Sequence, residues 1–161
     1  MKLLPVIALA ALGGVAFLGW SMLTPKPETT ASTLRSDDVV AGEALYQENC
    51  AACHGVNLEG EENWRTPDEE GRLPAPPHDK SGHTWHHGEV QLFTYTKLGG
   101  KASLALQGID FNSGMPGFTD QLSDQQIWDI LAYIKSTWPK REQKLQAERS
   151  EAERLQKAEN Q

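Results

Sequence analysis

The chain has 161 residues, of which 39% are hydrophobic and 23% charged, with a formal net charge of −7 and two cysteines. That length leaves room for one small domain beside short appendages. The negative charge argues against nucleic acid as a partner, and two cysteines leave none over for a disulfide framework once one motif has used them.

After Lys2, the 22 residues from Leu3 to Thr24 carry no charge. That run is long enough to span a bilayer as a helix. Lys2 and the α-amino group favour a cytoplasmic N-terminus, which puts the rest of the chain outside. A cleavable leader usually has a shorter apolar stretch before a small-x-small site. Gly19-Trp20-Ser21 is a poor site of that kind. The length of the run, Trp20 and the following Pro25-Lys26-Pro27 favour a retained transmembrane helix over residues 1–24, with cleavage as the alternative. The expected location is the bacterial inner membrane with the soluble part facing the periplasm, or the periplasm itself after cleavage. Residues 25–36 are rich in Thr, Pro and Ser and read as a linker.

Residues 37–138 hold 16 acidic against 6 basic residues, so the globular part is distinctly acidic. Ser36 or Asp37 can cap a helix whose first turn carries Asp37 and Asp38. Val40, Ala44 and Leu45 then share a face that leads to Cys50. There the sequence reads Cys50-Ala-Ala-Cys53-His54, a C-x-x-C-H box with the spacing of c-type haem attachment. Two thiols so spaced can add to the two vinyl groups of one porphyrin, and the adjacent His54 is held where its imidazole reaches the iron. A redox dithiol would need a βαβ pattern around it, and a zinc site a second ligand pair; the sequence has neither. Haem attachment of this kind takes place outside the bacterial membrane, in agreement with the export signal.

The middle of the domain carries Pro74-Ala-Pro-Pro77 and then His78, His83, His86 and His87 within ten residues. Such a tract reads as a loop, with a second metal site or an alternative iron ligand as rival readings. Val90 to Leu98 is a short helix ended by Gly99-Gly100. Ser123-Asp-Gln-Gln126 is a capping box that opens a last helix. Ile127, Ile130, Leu131 and Ile134 form its apolar stripe, with Trp128 and Tyr133 at the flanks and Pro139 marking the end. No alternating strand pattern occurs, so the expected class is all-α. Residues 139–161 form a charged tail, with pairs such as Arg149 and Glu153 at helical spacing, expected as a frayed solvent helix or disorder.

Two motifs carry a family resemblance. Gly42-Glu-Ala-Leu-Tyr46 stands just before the box, and Ile130-Leu-Ala-Tyr-Ile-Lys135 lies in the last helix. With the box they make residues 37–138 resemble a class I cytochrome c domain. The resemblance implies helices packed around one covalently attached haem c, with Gly42 facing Leu131 to Ile134 where the terminal helices cross. It implies a sixth iron ligand from a loop before the last helix. Met115, in Ser113-Gly-Met-Pro-Gly117, is the only methionine of the globular part and the candidate. The resemblance further implies that a proline-loop carbonyl, of Pro76 or Pro77, accepts the His54 N–H. It also implies that residues of the middle segment hold the haem propionates, Trp85 first and then Arg72 and the nearby histidines.

The expected function is one-electron transfer in a bacterial respiratory chain, as a carrier and not an enzyme. Its partners would be redox proteins such as an oxidase or dehydrogenase with Lys- and Arg-rich docking faces. The alternatives are a haem-based sensor or enzyme with a labile sixth ligand, and a metal-handling module built on His78 to His87.

Overall fold

In the computed structural model, which describes residues 36–159, six α-helices and one 3-10 turn make up the regular structure, and no strand occurs among those residues. None of the described helices is long and apolar enough to cross a membrane. The Leu3–Thr24 run and the linker up to residue 35 lie outside the described residues. The helices are α1 (Ser36–Asn49), α2 (Ala51–His54), α3 (Glu89–Leu98), α4 (Gly100–Ala105), α5 (Asp124–Ser136) and α6 (Lys140–Glu159), with the 3-10 turn at Thr84–His86.

Helices α1 and α5 form the principal pair. They meet at Gly42, where a Cβ would collide with the main-chain carbonyl of Asp129 and lie 3.0 Å from Tyr133 Cβ. The contact is thus at Tyr133, within the expected Leu131 to Ile134 region, and at Asp129, two residues before it. Tyr46, one turn after Gly42, is fully buried; its ring lies 5.4 Å from that of Tyr133 and its hydroxyl donates to the Gly55 carbonyl at 3.0 Å. Val40 does not belong to this face. It is 70% exposed and Ala44 is exposed too, whereas Val39, Leu45 and Cys50 pack against the core. The expected stripe is corrected because the buried edge of α1 is set by the glycine contact, and α1 has few large apolar residues to mark it.

The last helix of the domain follows its sequence pattern. Ser123 Oγ accepts from the Gln126 N–H and Gln126 Oε1 accepts from the Ser123 N–H, both halves of the capping box. Ile127, Ile130, Leu131 and Ile134 are buried together with Tyr133, and Trp138 closes the same cluster. Trp128 is 36% exposed and stacks on Phe93 at 4.4 Å.

The tail is where expectation and structure differ most. Residues 140–159 form a continuous helix that packs on the 3-10 turn and on α3. Gln146 is 1% exposed, and its amide donates to Ser150 Oγ at 3.0 Å. The N-terminus of α3 has Gly88 in the cap position with no cap from its own side chain. The tail supplies the missing acceptors: Ser150 Oγ takes the Glu89 N–H at 3.1 Å, and the Glu153 carboxylate takes those of Val90 and Gln91 at 3.0 and 3.2 Å. A side chain at residue 88 would collide with Glu153, so glycine permits the approach. Lys135 of α5 also pairs with Glu89.

Candidate functional site

Tyr46 accepts the Cys50 N–H on its main-chain carbonyl at 2.8 Å, after which α2 turns Cys50, Cys53 and His54 toward one cavity. That cavity measures about 740 Å³. Its walls are mostly apolar, with Leu92, Leu104, Ile109, Phe111, Ile130 and Leu131 among them. Volume and lining suit an apolar cofactor oriented by a few polar groups.

His54 is buried, and its Nδ1 lies 2.8 Å from the carbonyl oxygen of Pro76. A carbonyl can only accept, so Nδ1 carries the proton and Nε2 keeps its lone pair. Burial pulls the imidazole below its ordinary value, opposed by the Pro76 hydrogen bond and by Glu61, and so favours the neutral ring. A neutral imidazole with Nδ1 engaged is the form in which histidine binds a metal. Burial and the neighbouring Cys53 push the Cys50 thiol up to about 11, while Cys53 is exposed.

The Pro76 carbonyl is aimed by contacts on both sides. The Glu61 N–H donates to Ala75 at 2.9 Å, and the Ala75 N–H returns to the Glu61 carboxylate at 2.5 Å. Gly60, at φ 69°, lies so close to the Pro76–Pro77 peptide that a Cβ would sit 2.5 Å from Pro77 N. Glycine is needed there both for the left-handed backbone and for the approach.

Met115 lines the same cavity from the loop before α5. Its carbonyl accepts the Gly100 N–H at 3.1 Å and its N–H donates to Ser113 Oγ at 3.3 Å, which in turn lies 3.1 Å from Tyr95 Oη. Gly99, at φ 82°, lets the α3–α4 junction abut the Pro116–Gly117 main chain. The unexpected short helix α4 is therefore part of what holds the methionine loop.

Among the other residues singled out from the sequence, Pro76 and Arg72 line the cavity and Trp85 is not among its described lining residues. Trp85 stacks on His86 at 3.6 Å and its indole N–H reaches the Lys80 carbonyl at 3.4 Å. Arg72 sits at the rim with its guanidinium 3.0 Å from Glu70. The four clustered histidines part company. His78 stacks on His54, His83 on Trp64, and His86 on Trp85. No grouping of three His, Cys, Asp or Glu side chains suited to a metal ion occurs among the described residues. Burial draws His78 well below the ordinary imidazole value, with His54 and His83 adding to the effect.

Trp64, His83 and His87 also line the cavity, and sequence reasoning did not select Trp64. It lies in the long stretch between the box and the proline segment, whose spacing corresponds to no motif. The pairing of Trp64 with His83, 5.4 Å apart and nearly parallel, becomes visible only once the loop is folded.

The family model described as cytochrome c matches residues 39–138, which include the box, the proline segment, the methionine loop and α5. The chain is 33% identical over 105 residues to a thiosulfate dehydrogenase from Allochromatium vinosum, a match that covers 65% of this chain and 33% of that protein. The chain thus aligns with about a third of the length of that relative. No solved structure matches the chain significantly.

Proposed function

Because the chain belongs to the cytochrome c family, which implies electron transfer on covalently attached haem c, we propose that it carries single electrons through one haem bonded to Cys50 and Cys53 and ligated by His54 and Met115. The supporting observation is that both thiols, an imidazole with Nδ1 engaged by Pro76 and the Met115 side chain all border one apolar cavity. When bound, haem c supplies a one-electron couple between ferric and ferrous iron. The chain's own residues set the conditions for it. Pro76 orients His54 and raises its basicity as a donor. The thioether of Met115 favours the reduced state over what a second imidazole would give. Leu92, Ile130 and Leu131 line the cavity with apolar surface and limit water at the site. With His54 and Met115 both holding it, the group would be left no open site for a substrate, and its chemistry would be electron transfer with no call for a general acid or base.

The further elements of the reading are a respiratory context, anchorage by Leu3–Thr24 and a periplasmic orientation. Basic redox partners fit the acidic domain, through a small, salt-sensitive contact. A second reading is favoured by the similarity to a thiosulfate dehydrogenase: the domain takes part in oxidation of thiosulfate, as an enzyme or as a piece of one.

The test is an optical titration of the haem-loaded protein and of Met115→Ala, oxidised and reduced, with carbon monoxide and with thiosulfate. The carrier reading expects a weak far-red thioether–iron band in the ferric protein, lost in Met115→Ala, and carbon monoxide binding only in the variant. Reduction of the ferric wild type by thiosulfate, with turnover, replaces it by the enzymatic reading.

A further inference from the structure

We propose that His78 is a positioning residue that fixes the plane of the His54 imidazole by stacking on it, an inference that rests on His54 being an iron ligand. The two rings are 4.0 Å apart at their centroids and 23° from parallel. One hydrogen bond to Pro76 restrains the Nδ1 edge of His54 but leaves the ring plane free to rock about that contact. A flat ring laid against its face removes that freedom.

His78 is itself held at every point from which it could move. Its Nδ1 lies 2.8 Å from Thr84 Oγ1, a buried hydroxyl at the start of the 3-10 turn. Its N–H donates to the Leu58 carbonyl at 2.9 Å, and its own carbonyl accepts the Trp138 indole N–H at 2.7 Å. The edge of Tyr46 approaches the ring at 6.2 Å. Leu58 is 5% exposed and sits at φ 64°, a conformation that residues other than glycine rarely adopt. The fold thus keeps a left-handed leucine at the point that anchors the His78 main chain. An aliphatic side chain would fill the same space, but it could not offer a flat face or be locked in rotation by Thr84.

Three segments therefore converge on His78: the turn after the box and Trp138 beyond α5 hold its main chain, and the 3-10 turn holds its ring. The plane of an axial imidazole governs how unpaired spin distributes over the pyrroles of ferric low-spin haem. The four haem-methyl proton shifts report that distribution, and a merely space-filling role would leave it alone.

The experiment is proton NMR of the ferric, haem-loaded full chain for wild type, His78→Phe, His78→Ala and Thr84→Val. His78→Ala is expected to change the order or spread of the four methyl shifts. His78→Phe, which keeps a flat ring but not the bond to Thr84, changes it less than His78→Ala does. Thr84→Val, which keeps both rings and removes the anchor, moves the same resonances less, and it serves if His78→Ala does not accumulate. A low-spin wild type whose methyl pattern survives His78→Ala or Thr84→Val, or is altered equally by Phe and Ala, overturns the positioning role alone. A wild-type spectrum with no low-spin methyl set overturns instead the paired His54 and Met115 ligation of the proposed function, and is thereby told apart from failure of the positioning role.

Discussion

Glu153→Ala tests whether the tail helix is part of the domain or a passenger. The glutamate lies on α6, outside the matched cytochrome c region, yet it accepts two N–H groups of the first turn of α3, 62 and 63 residues earlier in the chain. Loss of a side-chain cap costs about 0.5–2 kcal/mol, and a carboxylate beside a helix N-terminus contributes about 0.3–1 kcal/mol through the dipole, more when partly buried. These overlap, since the same oxygens supply both. Water can reach the Val90 N–H, whose bond to Glu153 is exposed, so no buried donor is stranded there. The expected loss is therefore about 1–2 kcal/mol, which lowers the melting temperature of a domain this size by roughly 3–8 °C. Glu153→Gln keeps one oxygen acceptor and loses the charge, so it should fall about midway. Thermal melts of the haem-loaded protein read the loss, and amide hydrogen exchange at Glu89, Val90 and Gln91 locates it. An unchanged melt together with unchanged exchange at Val90 and Gln91 would refute the capping argument, whatever the tail does elsewhere.

Two further outcomes follow from the core and from the buried imidazoles. Gly42→Ala must push α1 away from α5, because the new Cβ would meet the Asp129 carbonyl, and main chain cannot swing aside as a side chain can. We expect a loss at or above the upper end of the about 1–3 kcal/mol range for overpacking, read as a lower melting temperature and a lower yield of haem-loaded protein; a wild-type melt would contradict the close crossing. Burial, assisted by neighbouring imidazoles, holds His78 and His83 below the ordinary value of about 6.5, and burial does the same for His87. The unfolded chain therefore binds protons first as pH falls, so this part of the stability is complete above about 6.5 and is lost progressively below it. Guanidinium midpoints at pH 7.5 and 5.5 check the sign, and a midpoint that is level or higher at pH 5.5 would contradict it.

Local chemistry made much of this protein legible from the chain alone. The box declares itself because thioether attachment needs two thiols at one spacing with a histidine beside them. The cap of α5 and its apolar stripe depend on residues within two turns of each other, so Ser123, Gln126 and Ile127 to Ile134 were readable in order. Met115 was singled out because the family resemblance implies a ligand from a loop before the last helix, and no other methionine stands in the domain. What tertiary structure decided lies between distant segments. That Pro76 and not Pro77 offers its carbonyl to His54 depends on how Gly60 and Glu61 clasp the proline segment. That Trp85 stacks on His86 while Trp64 lines the cavity depends on the folding of a loop without periodicity. The docking of α6 was hidden for the same reason. Its alternating charges look like a solvated helix, and only the arrival of α3's uncapped amides beside Ser150 and Glu153 turns two of its polar residues into structural ones. A hydrogen bond between residues 60 positions apart has no local signature, because its stabilisation exists only after the chain has closed the loop between them.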